Sequence, residues 1–329
     1  MTQGAAHMDL TLRTYLHGTV EVTEHASAEQ IAAALDLPDV LLWVDVLHPD
    51  ATLVTTLAER LRLHPVAVAE ALEPHTRPRF SRYEHHLFLN CYLMTADARG
   101  DRVAASEVTA FLTDRLLLTL RRAVSPAAER LDTHLRAHQD LLAQGVQTML
   151  WSLLDVIVDS QYDTAQRVDR RLDALETLVF GEEPARRIQQ RAFQLRKDLI
   201  RVRRLAAPMR EVVTSVLHSP QLPEALRPYM ADTYDHTLRV ADWADSSRDL
   251  VASLLDAHLN IQSNRMNLVM KKVTSWAAII AVPTLITGFF GQNLLFWGYG
   301  TWWGTALSGG LIVASAAVLY WLFRRNDWL

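Results

Sequence analysis

The chain has 329 residues, a formal net charge of −4 and a single cysteine, Cys91. A mildly acidic chain has no general attraction to nucleic acid or to anionic lipid, and one cysteine excludes an internal disulfide and a thiolate metal cluster. The charge is unevenly distributed, because residues 273–323 contain no Asp, Glu, Lys, Arg or His. The sequence therefore predicts a cytoplasmic soluble part followed by a membrane part.

The first 140 residues are typical of an α/β domain. Residues 1–10 contain no apolar stretch, so we expect no cleavable secretory signal. Residues 51–61 predict one of the helices that alternate with strands. Short or alternating apolar runs predict strands at residues 10–16, 40–46, 87–94, 108–112 and 116–120.

Residues 141–228 predict an antiparallel pair of long helices. An apolar stripe indicates the first helix at 146–180, and the second runs from 185 to about 217. The second helix carries many arginines, which resembles a nucleic-acid site. We favour a solvated or ion-paired face instead, because four aspartates on the first helix supply acid. These aspartates are Asp159, Asp163, Asp169 and Asp173.

Residues 229–290 predict one continuous helix, because no Gly or Pro interrupts the helical pattern before Pro283. Such a helix is about 90 Å long, far beyond the usual globular length. It joins the soluble domain to the first apolar span, so we expect it to transmit motion between them.

Residues 273–290 and 305–323 are each long and apolar enough to cross a bilayer. Lysines precede the first span and arginines follow the second, so the positive-inside rule places both termini in the cytoplasm. The aromatic-rich connector 291–304 then lies outside. A buried soluble hairpin is the alternative interpretation.

Two membrane spans cannot enclose a water-filled path by themselves, so a pore built from this chain would require a closed ring of subunits.

One stripe of small or weakly polar residues runs along the first span. Its members recur at steps of three or four residues, which places them on one helix face. They are Asn267, Met270, Val273, Ala277, Ala281, Thr284 and Gly288. In a ring of helices this stripe could face the axis. Small residues also let membrane helices pack closely, and periodicity alone does not separate the two readings.

The outer end of the first span reads Gly-Phe-Phe-Gly-Gln-Asn from Gly288 to Asn293. Here the chain resembles the CorA family of magnesium and other divalent-cation transporters, whose signature is Gly-Met-Asn at this junction. The corresponding residues are Gly291, Gln292 and Asn293. Further blocks that resemble the family follow in family order at residues 75–83, 150–159, 229–236 and 263–272.

The resemblance implies an α+β membrane protein that forms a homopentamer in the plasma membrane, surrounded by lipid. Its parts are a cytoplasmic α/β funnel, a long stalk helix and two C-terminal transmembrane helices. The implied segments are 1–140 for the α/β domain, 141–228 for the helix pair, 229–290 for the stalk and first span, 291–304 for the outer loop, 305–323 for the second span and 324–329 for the tail.

The resemblance also implies channel-like transport of Mg²⁺ and no enzymatic activity or organic cofactor. Mg²⁺ dehydrates reluctantly, and Asn293 matches the asparagine that contacts its water shell. Thr284 and Gly288 match polar pore positions, while Asn267 and Met270 match the inner constriction. Gln292 replaces the signature methionine, which leaves two alternatives open: a transporter of Zn²⁺, Co²⁺ or Ni²⁺, and a non-conducting scaffold or cation sensor.

The family also implies regulation by Mg²⁺ bound between subunits of the funnel, where it holds the closed state. By position Asp232 matches one acidic residue of such a site, and Asp235 lies near it. Asp97 is the expected partner on the opposite side of the subunit contact.

Overall fold

The computed structural model describes residues 9–16, 19–37, 40–74, 77–96, 102–181, 183–292 and 298–329. The chain forms two compact units, Met1–Ala252 and Ser253–Leu329. The boundary between them falls inside one long helix.

The first unit contains a mixed sheet, which has seven strands in the described ranges. The strands are β1 Asp9–Leu16, β2 Thr19–Glu24, β3 Leu41–Leu47, β4 Arg79–Arg82, β5 Leu87–Ala96, β6 Val103–Leu112 and β7 Leu116–Arg121. They lie in the order β2-β1-β3-β7-β6-β5-β4. The β3–β7 pair is parallel and the other neighbours are antiparallel.

Helices cover both faces of this sheet. They are α1 Ala28–Leu35, α2 Ala51–Leu61, α3 Pro65–Leu72, α4 Ala127–Ala137, α5 Val146–Phe180, α6 Ala185–Ala206 and α7 Met209–Leu217. One core joins α1 to α3 with strand residues such as Val44 and Leu118. The other joins α4, α5 and α7 with Trp43 and Leu117. Because β3 and β7 are buried on both faces, their sequences are almost continuously apolar.

The five predicted strands and the helices at 51–61 and 146–180 are confirmed. The predicted helix from 185 to about 217 is wrong, because α6 ends at Ala206 and α7 begins at Met209. Pro208 lies at the break. It has no N–H to donate to the turn before it, and its ring clashes with that turn.

The long helix α8, Arg227–Gly291, has 65 residues and continues through Pro283. After Gln292 come residues outside the described ranges, and then α9, Trp302–Arg325. Among the described residues these are the two helices long and apolar enough to cross a membrane. In their most apolar windows only 6% and 0% of residues are buried, so neither is the core helix of a soluble domain.

Candidate ion pathway

The predicted stripe lies on an open face of α8. All seven of its residues, from Asn267 to Gly288, are exposed in the single chain. Met270 and Val273 are 56% and 59% exposed although both are apolar. Most of the stripe is therefore uncovered within its own compact unit.

A second face of α8 is sheltered. Ser275 is 0% exposed, and four further residues at steps of three or four are only partly exposed. They are Ile279, Val282, Ile286 and Phe290. At about 100° per residue this sheltered face lies about 180° from the membrane part of the stripe. The two faces are therefore on opposite sides of the helix.

Helix α9 has a matching sheltered face. It is made of Gly304, Ser308, Ile312, Leu319 and Phe323, which again recur at helical steps. Beyond the end of α9, the indole of Trp328 lies 5.9 Å from Lys271 Nζ of α8. These features indicate that α9 packs along the sheltered face of α8, which leaves the stripe free for other copies or for water.

The inner end of the stripe is less open than the rest. Asn267 and Met270 line a cavity of about 540 Å³ together with Trp328. The segment after α9 therefore reaches the level at which the family resemblance places the inner constriction.

The outer end of α8 is exposed in the single chain. A Cβ added at Gly288 would meet nothing within 4 Å, and Gly291 is equally open. Gln292 is exposed, and its N–H donates to the Phe289 carbonyl at 3.3 Å. Asn293 lies outside the described residues, so the structure covers two of the three residues of the Gly-Gln-Asn segment.

Two threonine hydroxyls of this span donate to backbone carbonyls within the helix. The Thr284 hydroxyl donates to the Ile280 carbonyl at 2.8 Å, and Thr287 donates to the Pro283 carbonyl at the same distance. Each hydroxyl oxygen keeps lone pairs that can accept a hydrogen bond from water. An uncharged surface that accepts hydrogen bonds from water suits a cation that keeps its water shell better than it suits a dehydrated cation.

The two described candidates for the regulatory site lie on the first unit's part of α8. Asp232 and Asp235 are both exposed. Asp97 lies outside the described residues. Over the ranges that the structure covers, no three His, Cys, Asp or Glu side chains come together as metal ligands within the chain.

Between these aspartates, α8 is attached to α5 by a partly buried polar contact that the sequence did not predict. The Thr233 hydroxyl donates to Asp155 at 2.7 Å, and His134 Nε2 lies 3.0 Å from the same carboxyl. Burial alone would raise the pKa of Asp155, but these hydrogen bonds and nearby histidine charges lower it. Asp155 is the one charged residue in the apolar run 150–158, and that isolation was its available signal.

A second attachment lies one turn further along both helices. His236 Nδ1 of α8 is 3.5 Å from Asp159 of α5, and its ring stacks on Tyr162. Further on, the Trp243 indole N–H donates to Asp169 at 3.0 Å. These contacts hold one side of α8 against α5 and leave Asp232 and Asp235 on its outer side.

Comparison with known proteins places these features in one family. A family model described as "CorA-like Mg2+ transporter protein" matches residues 38–325. The cobalt/magnesium transport protein CorA of Thermotoga maritima is 28% identical over 292 residues, covering 87% of this chain and 83% of that protein. The zinc transport protein ZntB of Pectobacterium carotovorum is 26% identical over 296 residues, covering 86% and 87%.

The fold has a close counterpart among solved structures. The CorA magnesium transporter of Methanocaldococcus jannaschii aligns with a TM-score of 0.80 at 20% identity, covering 97% of this chain and 98% of that one. The likeness therefore includes the sheet, the long helix and the C-terminal helix pair. With a family match that runs from before β3 to the end of α9, the chain belongs to the CorA-like Mg²⁺ transporter family.

Proposed function

We propose that this chain is one subunit of a homopentameric, channel-like pathway that carries Mg²⁺ across the plasma membrane. The observation that supports this most is the open, uncharged stripe on α8, opposite the face sheltered by α9. In a ring, the stripes converge on the axis while α9 forms the outer layer against lipid. The basic pairs at Lys271–Lys272 and Arg324–Arg325 favour cytoplasmic placement of both termini.

The driving force in this proposal is the membrane potential with the concentration gradient. Moving a divalent cation inward gains about 4.6 kcal/mol per 100 mV, since one charge gains about 2.3. No nucleotide is needed. An uncharged lining keeps the ion from binding too tightly to leave, and the water shell remains on the ion.

Each part of the stripe has a role in this proposal. Asn293 at the mouth accepts hydrogen bonds from first-shell water, and Thr284 and Gly288 continue a polar path. Met270 and Val273 form an apolar section that stops conduction when it dewets.

Regulation in this proposal uses Mg²⁺ as a ligand between subunits. Asp232 and Asp235 are exposed on the side of α8 that does not contact α5, where a neighbouring subunit can reach them. Asp97 supplies the opposing carboxylate. Mg²⁺ held there at high internal concentration stabilises the closed ring, and its loss releases α8.

The test is Mg²⁺ uptake into proteoliposomes that contain the purified protein. We expect wild-type flux, and a loss of at least tenfold in Asn293→Ala, because every subunit loses the amide that contacts the ion's water shell and one such hydrogen bond, about 1.4 kcal/mol, already corresponds to a factor of ten. Asn326→Ala, the same change at an exposed position just after α9, is the control. Wild-type flux that Asn293→Ala leaves unchanged would reject the assigned mouth.

Two alternatives remain as outcomes of the same assay. The similarity to a zinc transport protein favours Zn²⁺, Co²⁺ or Ni²⁺ as a second candidate substrate class. Uptake of Zn²⁺ without Mg²⁺ would overturn the choice of ion. Gln292, in place of the signature methionine, favours a non-conducting scaffold or cation sensor, for which neither wild type nor variant would carry any of these ions.

A further inference from the structure

Four arginines line one cavity of the first unit. Arg77 comes from the segment before β4, Arg203 and Arg204 from the end of α6, and Arg248 from α8. The cavity has a volume of about 380 Å³, and its remaining lining residues are Ile200, Ala207 and Pro208. In the part of the chain that the structure describes, no Asp or Glu lines it. We call this cavity the arginine pocket.

The positive charge in the arginine pocket is only partly neutralised. Arg203 pairs with Asp245 of α8, and Arg248 Nη2 lies 3.3 Å from Asp249. Arg77 and Arg204 make no ion pair within the described ranges. The pocket therefore keeps an excess of positive charge that nothing in its own lining offsets.

The aspartates of α5 do not supply the acid that the sequence led us to expect for this face. Asp159 faces His236, Asp163 lies 3.8 Å from Arg130, and Asp169 accepts from Trp243. For these three aspartates the expected ion pairing with α6 is wrong, since they face α4 and α8. Arg186, Arg191 and Arg196 are exposed, as expected of the solvated alternative. The end of α6 borders the break at Pro208.

We infer that the arginine pocket binds a phosphate-bearing anion. Guanidinium groups present paired N–H donors that match phosphate oxygens. An anion bound among several arginines also reduces the repulsion between their positive charges. The volume lies at the small end of the range of ligand sites, which fits a pyrophosphate-sized group. The apolar edge at Ile200 and Ala207 gives room for a larger organic substituent.

The arginine pocket joins three parts of the fold, one of which is α8. An anion that binds Arg248 together with Arg77 and Arg204 favours arrangements in which α8 stays near α6. Under the proposed function α8 lines the ion path, so such binding would be coupled to transport, and the coupling must be reciprocal. This consequence rests on the proposed function, whereas the binding itself does not.

Pyrophosphate binding to the purified full-length protein, followed by calorimetry at physiological ionic strength, tests the inference. We expect saturable binding to wild type and a loss of affinity of about tenfold or more in Arg77→Gln/Arg204→Gln, because two charge-assisted contacts are removed. The control is Arg186→Gln/Arg191→Gln, which removes the same charge from exposed positions of α6 outside the pocket. Its affinity should stay within about twofold of wild type.

A second arm separates a soluble anion from a lipid headgroup, which presents the same phosphate chemistry. The three proteins are titrated with vesicles of phosphatidylcholine, with and without phosphatidic acid. A selective loss in Arg77→Gln/Arg204→Gln with either probe supports the inference and identifies the source. No binding of either probe, or equal weakening in both double variants, would overturn it. Transport is not measured here, so failure leaves the flux experiment unaffected.

Discussion

Two aspartates on α5, four residues apart, experience opposite environments. Asp155 accepts hydrogen bonds from Thr233 and lies against His134, and its pKa is lowered. Asp159 has a raised pKa because of burial first and the neighbouring Asp155 charge second. The ionised form of Asp155 therefore stabilises the attachment of α8 to α5, while the charge on Asp159, whose side chain is 53% exposed, has at most a small effect on stability because solvent screens it.

We expect Asp155→Asn to lose about 1–3 kcal/mol of stability at neutral pH, because Thr233 and His134 lose their anionic acceptor. Asp159→Asn should be at least as stable as wild type. A carboxyl with a lowered folded pKa contributes stability above its unfolded pKa, and loses it as pH falls through the folded value. The stability difference between the two variants should therefore shrink below about pH 4.

Thermal unfolding of the full-length protein at a series of pH values measures this difference. The two variants remove one carboxylate each from the same helix, so each is the matched control for the other. Equal melting temperatures at neutral pH would show that Asp155 does not hold α8 in place.

At the scale of helices and strands, sequence patterns predicted elements that are bounded by local signals. Helix α5 was predicted with its observed bounds from its apolar stripe, and in the structure glycines flank it at Gly145 and Gly181. Strands β2 and β4 were missed, since both lie at sheet edges and bury too little to show a clear apolar pattern. The break at Pro208 had a signal that the prediction of one helix did not use, since proline removes a helix hydrogen bond.

The stripe on α8 could be predicted as a face, but its exposure could not. Periodicity puts Thr284 and Gly288 on one side of a helix whatever covers that side. The sheltered face opposite depends on contact with α9, which periodicity in α8 does not report. The attachments through Asp155 and His236 join residues about 78 positions apart in sequence, and one sequence carries no local sign of such pairs.

Cysteine accessibility locates the part of the α8 surface that lines the ion path. The native Cys91 is 0% exposed, and burial raises the pKa of its thiol, so it is inert to thiol reagents. Thr284 and Thr287 are an ideal pair, because both are exposed and both donate to the carbonyl four residues earlier. Thr284 belongs to the stripe, whereas Thr287 lies about 60° around the helix from it, beyond the edge of the stripe.

We expect a water-soluble cationic thiol reagent to block Mg²⁺ flux through Thr284→Cys, because the modified side chain occupies the pathway. Thr287→Cys should keep its flux after the same treatment. Flux into proteoliposomes before and after the reagent measures the effect. Block of Thr287→Cys with Thr284→Cys spared would place the ion path about 60° around the helix from Thr284 and contradict the assigned stripe.

For the whole molecule, the charge distribution along the sequence was enough to predict a soluble part followed by two membrane helices. The charge distribution could not predict how many subunits assemble, since a single pair of membrane helices shows only that one face of α8 is free. An open apolar surface that includes Met270, Val273 and Leu285 requires lipid or other subunits to cover it. The proposed ring covers this surface and creates the water-lined axis at the same time.

A three-dimensional map of the protein in lipid nanodiscs tests this arrangement most directly. The account predicts five copies around one axis, with Thr284 and Gly288 of every copy facing the axis and α9 on the outside. A monomer, or an assembly in which Thr284 faces lipid while Ser275 lies nearest the centre, would contradict it.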